Sequence, residues 1–207
     1  TGDYSLRIID ADAAADMSPG VAVSGTLDGG NKTSVYRFSG TAGDKFYYSA
    51  GGLQSTGAYP YADWRLIDPF GRQEGDTSDA GYDRDTFTLQ RSGEYLLLVQ
   101  GAASNTAPVN YQFDLRTVTD STTPLTLNVT ATASIDRAGK TANFTFNLAE
   151  TTPVLFDRLT NVDFAWSLTG PRGQQVARHG TYYGDTSFDG FEHLALAAGS
   201  YTLSVDL

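Results

Sequence analysis

One stretch of the chain returns about a hundred residues later. Ala62-Asp63-Trp64-Arg65-Leu66-Ile67-Asp68-Pro69-Phe70-Gly71-Arg72-Gln73 comes back as Phe164-Ala165-Trp166-Ser167-Leu168-Thr169-Gly170-Pro171-Arg172-Gly173-Gln174-Gln175. Two further blocks recur in the same order: Lys32 to Phe38 against Lys140 to Phe146, and Ser92 to Val99 against Ala198 to Val205. From Lys32 to Lys140, Trp64 to Trp166 and Tyr95 to Tyr201 the offsets are 108, 102 and 106 residues. Each copy is therefore domain-sized, well beyond the periods of roughly 20–50 residues that mark solenoids. Such a chain folds as a tandem of two related domains.

The copies do not end alike. Copy one continues into Val109-Asn110-Tyr111-Gln112-Phe113-Asp114-Leu115, an alternating run that reads as one more strand. Copy two has no equivalent, whereas Gly2-Asp3-Tyr4-Ser5-Leu6-Arg7-Ile8 looks like that strand: Tyr4 precedes Tyr36 by 32 residues, and Tyr111 precedes Phe144 by 33. On this reading residues 1–18 are the terminal strand of an upstream repeat plus a linker, 19–119 the first repeat, and 120–207 a second repeat without its terminal strand. The chain is then an internal fragment of a longer repetitive protein. A different alignment sets Thr1-Gly2-Asp3-Tyr4 against Ser92-Gly93-Glu94-Tyr95. An orphan strand and an unfilled sheet edge in one chain lead to the expectation of self-association by strand donation, the alternative being a monomer.

Turn formers such as Asp28-Gly29-Gly30-Asn31 and Arg137-Ala138-Gly139 separate short alternating runs, which predicts an all-β chain. The best helix candidate is the Ala-rich stretch from Asp10 to Met17, which also reads as a linker. Aromatic residues two apart share one face of a strand, so Tyr36 with Phe38, and Phe144 with Phe146, point inward. Trp64 and Trp166, matched between copies, are expected to be buried. Gly93-x-Tyr95 and Gly199-x-Tyr201 place a glycine at a tight turn and a tyrosine entering the sheet, the arrangement of a tyrosine corner.

In these blocks the sequence resembles the bacterial pre-peptidase C-terminal domain family. Copy one supplies the pieces between about Val21 and Val118: Tyr36-Arg37-Phe38, Ala42-Gly43-Asp44-Lys45, Leu66-Ile67-Asp68-Pro69-Phe70-Gly71, Gly93-Glu94-Tyr95-Leu96-Leu97 and Tyr111-Gln112-Phe113. Copy two departs, with Ala149-Glu150-Thr151-Thr152 in place of the Ala-Gly-Asp turn and Gly170 in place of Asp68. The resemblance implies two tandem jelly-roll-like, Greek-key antiparallel β-sandwich domains. It further implies a non-catalytic accessory module of a secreted or cell-surface bacterial protein, extracellular in location and in some members calcium-binding.

The chemistry legible in the residues is sparse. There is no Gly-x-Ser-x-Gly, no His-Glu-x-x-His, no phosphate loop and no cysteine, so the chain is not read as an enzyme. His179 and His193 read as surface polar residues. A net charge of −10 speaks against nucleic acid and anionic membrane as partners, and no run is long and apolar enough for membrane insertion. Calcium fits that charge better, since it takes six to eight oxygen ligands. The candidate ligands are Asp68, Asp76, Asp79, Asp83 and Asp85 in copy one, and Asp185, Asp189 and Glu192 in copy two; a solvated acidic loop accounts for the same residues. Asp10, Asp12 and Asp16 form a further acidic group in the first linker, with no counterpart in the second. Tyr59, Tyr61 and Tyr82 sit among turn residues, where rings and carboxylates suit a sugar or a peptide. The expected function is a spacer or presenting scaffold beside neighbouring domains of the same polypeptide. The alternative is a carbohydrate- or peptide-binding module of an adhesin or secreted hydrolase.

Overall fold

The computed structural model describes residues 2–57, 59–180 and 193–207, and contacts divide the chain into two units, Thr1–Val118 and Thr119–Leu207. Branched and aromatic residues fill the short runs between turn formers, and strands result. In the first unit these are β1 (Ala15–Asp16), β2 (Val23–Leu27), β3 (Thr33–Gly40), β4 (Lys45–Ser55), β5 (Ala62–Ile67), β6 (Gln73–Asp79), β7 (Arg84–Thr88), β8 (Gly93–Gly101) and β9 (Val109–Thr117). The second unit holds β10 (Ser121–Pro124), β11 (Ala142–Leu148), β12 (Thr152–Val154), β13 (Ala165–Gly170), β14 (Gly173–Gly180), β15 (Leu194–Leu196) and β16 (Gly199–Asp206).

The first unit is a β-sandwich. One sheet runs β1-β3-β8-β5-β6 and the other β2-β9-β4-β7. Alternation sends Tyr95, Leu97 and Val99 of β8 and Tyr111, Phe113 and Leu115 of β9 into one shared core with Phe38, Phe46, Tyr48 and Trp64. Tyr48 stacks on Trp64 with ring centroids 4.4 Å apart and planes 8° from parallel.

The second unit repeats the first sheet strand for strand, as β10-β11-β16-β13-β14. The register repeats too: Phe38 opposite Tyr95 becomes Phe146 opposite Tyr201, Trp64 opposite Val99 becomes Trp166 opposite Val205, and Leu66 opposite Leu97 becomes Leu168 opposite Leu203. Both tryptophans are buried. Phe156 stacks on Trp166 at 4.3 Å and 13°, so it stands where Tyr48 stands in the first unit.

Gly93 and Gly199 open the matched strands β8 and β16 with φ of 146° and 141°, a region closed to most side chains. A β-carbon there would also lie 2.7 Å from Cγ of Pro69 in one unit and of Pro171 in the other, so no larger residue fits. Two residues on, the Tyr95 hydroxyl donates to the Arg91 carbonyl and the Tyr201 hydroxyl to the Ala197 carbonyl, each at 2.8 Å. Both units thus tie the strand entry to backbone four residues upstream.

The antiparallel architecture expected from the sequence is found, with three local departures. The sheets are antiparallel except at their first strands, where β1 pairs parallel with β3 and β10 parallel with β11. The stretch from Asp10 to Met17 forms only a 3-10 turn, Ala11–Ala13, capped by the Asp10 carboxylate accepting from the Asp12 amide, before its chain joins β3 as β1. Both linkers therefore do share a device, a short strand laid along the next repeat, although only the first is acidic. Residues 2–10 form no strand; an isolated strand offers its amides and carbonyls no neighbour.

The second layer of the second unit is slight. β12 and β15 pair as β4 and β7 do, but among the described residues no strand corresponds to β2 or β9. Residues 129–135, which align with β2, form no strand. Leu203 and Val205 are half-buried, whereas Leu97 and Val99 are 0 % exposed.

Candidate functional site

The first unit gathers its loops at one end of the sandwich. Asn105, in the turn between β8 and β9, donates from Nδ2 to the carbonyls of Gly30 at 2.8 Å and Tyr61 at 2.7 Å, and accepts the Tyr61 amide at 3.4 Å. One amide side chain so joins the segment before β5 to the turns before β3 and after β8. Asn105 lies outside the repeated blocks, and an Asn within Ala103-Ser104-Asn105-Thr106 shows only turn propensity in the sequence. Tyr61 precedes β5, and the Ala80 amide donates to the Ala62 carbonyl, which brings Tyr82 to the same end of the β5–β6 hairpin.

At this end Tyr59 is 93 % and Tyr82 72 % exposed. Neither ring folds back on the core. Tyr59 holds φ at 54°, uncommon for a bulky residue and strained there. Tyr61 is tethered instead: its hydroxyl donates to Asp63 at 2.7 Å, and this bond to a carboxylate raises its pKa. The arrangement offers two solvent-facing rings, a tyrosine–carboxylate pair and nearby main-chain groups, which can stack on an apolar face and bond to hydroxyls or amides.

The five aspartates of copy one are dispersed by the fold. Asp76 and Asp79 lie on β6, at the edge of the first sheet, and Asp85 on β7, at the edge of the second. Asp68 follows β5 and is buried; its Oδ1 accepts the amides of Phe70 and Arg72, each at 2.9 Å, and its Oδ2 the Arg91 guanidinium at 2.8 Å. These donors, the Arg72 amide foremost, hold the carboxyl below the usual carboxylate range against the opposing effect of burial. Asp83 accepts the Ala50 amide at 2.7 Å and the Tyr47 hydroxyl at 2.8 Å, closing the irregular pairing of β4 with β7. Asp79 accepts the Gly81 amide at 2.8 Å. Among the described residues no three acidic, His or Cys side chains gather in a way that could hold a metal ion. Asp68 in particular does not fit a cation, having a guanidinium against its second oxygen. Asp185, Asp189 and Glu192 lie outside the described residues. In the first linker, Asp16 pairs with Arg37 at 2.6 Å.

Tyr47 belongs to the same corner. Burial first, and then its bond to Asp83, push its pKa from the ordinary 10.0 up to about 12. Tyr48, more deeply buried, is raised as well.

A cavity of about 210 Å³ opens between the edge strands β6 and β7, under Trp64, Arg84 and Phe87. It is smaller than the roughly 300–1,000 Å³ of small-molecule sites. Arg84 lies over the Trp64 ring, 5.3 Å from its centroid, and Glu74 accepts the Gln90 amide at 2.8 Å. Of the two histidines, His179 packs edge-on against Trp166 at 6.0 Å, and His193 is exposed. Among the described residues no helix is long and apolar enough to cross a membrane.

No family model matches the chain, and no curated protein matches it. Solved structures do. The pre-peptidase C-terminal domain of a collagenase from Bacillus anthracis is 17 % identical, covering 54 % of this chain and 100 % of its own, with a TM-score of 0.35. PliG of Aeromonas hydrophila, a periplasmic inhibitor of g-type lysozyme, is 16 % identical over 53 % of this chain and 93 % of its own, with a TM-score of 0.35. PliG of Salmonella Typhimurium is 21 % identical over 50 % and 98 %, with a TM-score of 0.34.

Proposed function

We propose that the chain is a non-catalytic tandem of accessory β-sandwich modules from an extracellular or periplasmic bacterial protein, spacing or presenting a neighbouring activity. One observation carries this reading: what the two units share is structural. Their matched residues are core rings in one register, the glycine against a proline, and the tyrosine bonded to the carbonyl four residues before it. The first unit's acidic residues follow suit, since Asp68, Asp79 and Asp83 accept hydrogen bonds that shape turns and strand ends. Calcium has no part in this reading at residues 68–85. A rise in melting temperature with calcium, absent with magnesium or EDTA and removed by Asp79→Asn with Asp83→Asn, would reverse that point.

The test is substitution. In a fusion that holds a reporter binding domain on a bacterial surface through these 207 residues, an unrelated tandem of β-sandwiches of similar length should give the same reporter access. Loss of surface attachment or ligand capture on substitution overturns the spacer reading. A second reading, recognition of a glycan or peptide at the loop end, is favoured by the exposed ring of Tyr59 on its strained backbone. Binding on a glycan or peptide array that disappears with Tyr59→Ala and Tyr82→Ala would select it.

A further inference from the structure

The first unit turns a carboxylate inward where the second has a core valine. Glu74 of β6 lies opposite Leu66, and Val176 of β14 opposite Leu168, at the same place in the repeat. Val176 is buried and belongs to the apolar core of its unit. Cross-strand partners share a face, so Glu74 enters the sandwich beside Leu66. Its Oε1 accepts the Gln90 amide, whereas its Oε2 is buried with no donor among the described residues. The neighbouring Tyr95 hydroxyl supplies none, because its single proton goes to the Arg91 carbonyl. A group that breaks the apolar pattern of its own repeat and stays unpaired in the interior marks a place built to meet something else.

Glu74 lines the cavity between β6 and β7, and a second unspent group lines it too. Trp64 is 1 % exposed, and its indole Nε1 has no acceptor among the described residues. Arg84 reaches in from β7 over the Trp64 ring, with Nη1 donating to the Asp76 carbonyl at 2.8 Å and other N–H groups left to give. Leu66 and Phe87 form an apolar wall. The space of about 210 Å³ exceeds the roughly 150 Å³ that accommodates a benzene ring.

We propose that this cavity binds a free α-amino acid with a short aliphatic side chain. The ammonium group donates to Glu74 Oε2, the carboxylate accepts from Trp64 Nε1 and the Arg84 guanidinium, and the side chain packs on Leu66 and Phe87. A purely apolar molecule of this size would leave Glu74 and Trp64 unpaired, and a simple anion or cation would satisfy one of them and repel its neighbour. A dipolar molecule with an apolar side answers all the groups present. This role is additional to spacing and does not depend on it.

Calorimetric titration of the full chain with L-valine and L-leucine tests this. The expected result is saturable binding of at least one of them, with a dissociation constant raised roughly tenfold or more by Glu74→Gln. That variant keeps the oxygen that accepts the Gln90 amide, and Glu74→Val, which installs the second unit's own residue, should abolish binding with the fold intact by circular dichroism. N-acetyl-L-leucine, which lacks the ammonium group, and isopentylamine, which lacks the carboxylate, should each bind roughly tenfold more weakly or worse than the parent amino acid. In a Trp166→Phe background the emission of Trp64 should change along the same isotherm. No binding of either amino acid up to about 10 mM, which leaves the cavity to water, overturns the proposal. So does binding indifferent to both Glu74 substitutions, or equal binding of the acetylated or decarboxylated probe.

Discussion

Leu97→Ala and Leu203→Ala should differ in cost although the two leucines occupy the same place in the repeat. Each sits on the central strand of its five-stranded sheet, Leu97 between Tyr36 and Leu66, Leu203 between Phe144 and Leu168. What differs is the layer above. Leu97 is 0 % exposed beneath a four-stranded sheet, so its truncation leaves an enclosed cavity and costs about 3–4 kcal/mol. Among the described residues the layer facing Leu203 has two strands, and Leu203 is half-buried, so truncation forfeits roughly half of a leucine's transfer energy, about 1 kcal/mol. The assay is denaturant unfolding followed by tryptophan fluorescence. Each unit holds one of the chain's two tryptophans, so Trp166→Phe leaves a reporter for the first unit and Trp64→Phe one for the second. In these backgrounds the removed ring lies in the unit that is not being measured. Equal losses for Leu97→Ala and Leu203→Ala, within about 0.5 kcal/mol, would refute the view that Leu203 sits in the less enclosed core.

Gly199→Ala should destabilise the second unit by about 2 kcal/mol or more, since the residue must hold a φ of 141° against Pro171; calorimetry of the variant checks this, and a neutral result would mean that the turn relaxes freely. Tyr95→Phe removes the bond to the Arg91 carbonyl while keeping the ring, for an expected loss of about 1–2 kcal/mol by urea unfolding, and Tyr201→Phe should behave alike in its own unit. Alkali should weaken the first unit: the folded pKa of Tyr47 is raised above its unfolded value of 10.0 to about 12, so its contribution is fully present below pH 10.0 and is lost as pH rises toward 12. Tyr47→Phe should flatten that part of the stability–pH profile, and an unchanged profile would show that burial and the bond to Asp83 do not hold the phenol protonated.

The repeat was legible because its matched positions carry one physical role. A tryptophan recurring two residues before a leucine, with a glycine and a tyrosine further on, needs the same core, and Trp64, Trp166, Tyr95 and Tyr201 are all buried where the pattern puts them. The acidic segment was not legible in the same way. Asp76 and Asp85 are nine residues apart in sequence, yet a crossing between sheets sets them on different layers. Asp68 reads in sequence as a free ligand; only its turn reveals that two amides and a guanidinium already hold it. Asn105 fell outside the repeated blocks, and its three bonds depend on loops brought together by tertiary folding. For residues 2–8 the alternation predicts a strand, but strand formation needs a neighbour that a sequence pattern cannot supply.

The parallel pairing of β10 with β11 has a mechanical consequence. Ser121 lies opposite Ala142, and Ala142 opposite Val205, so Ser121 and Val205 stand at one end of a sheet, two strand spacings apart, roughly 10 Å. Tension along the polypeptide then opens this edge as a zipper, one rung after another, instead of sliding strands past one another. While folded, the unit holds these two residues side by side; once unzipped, residues 121–206 span about 280 Å.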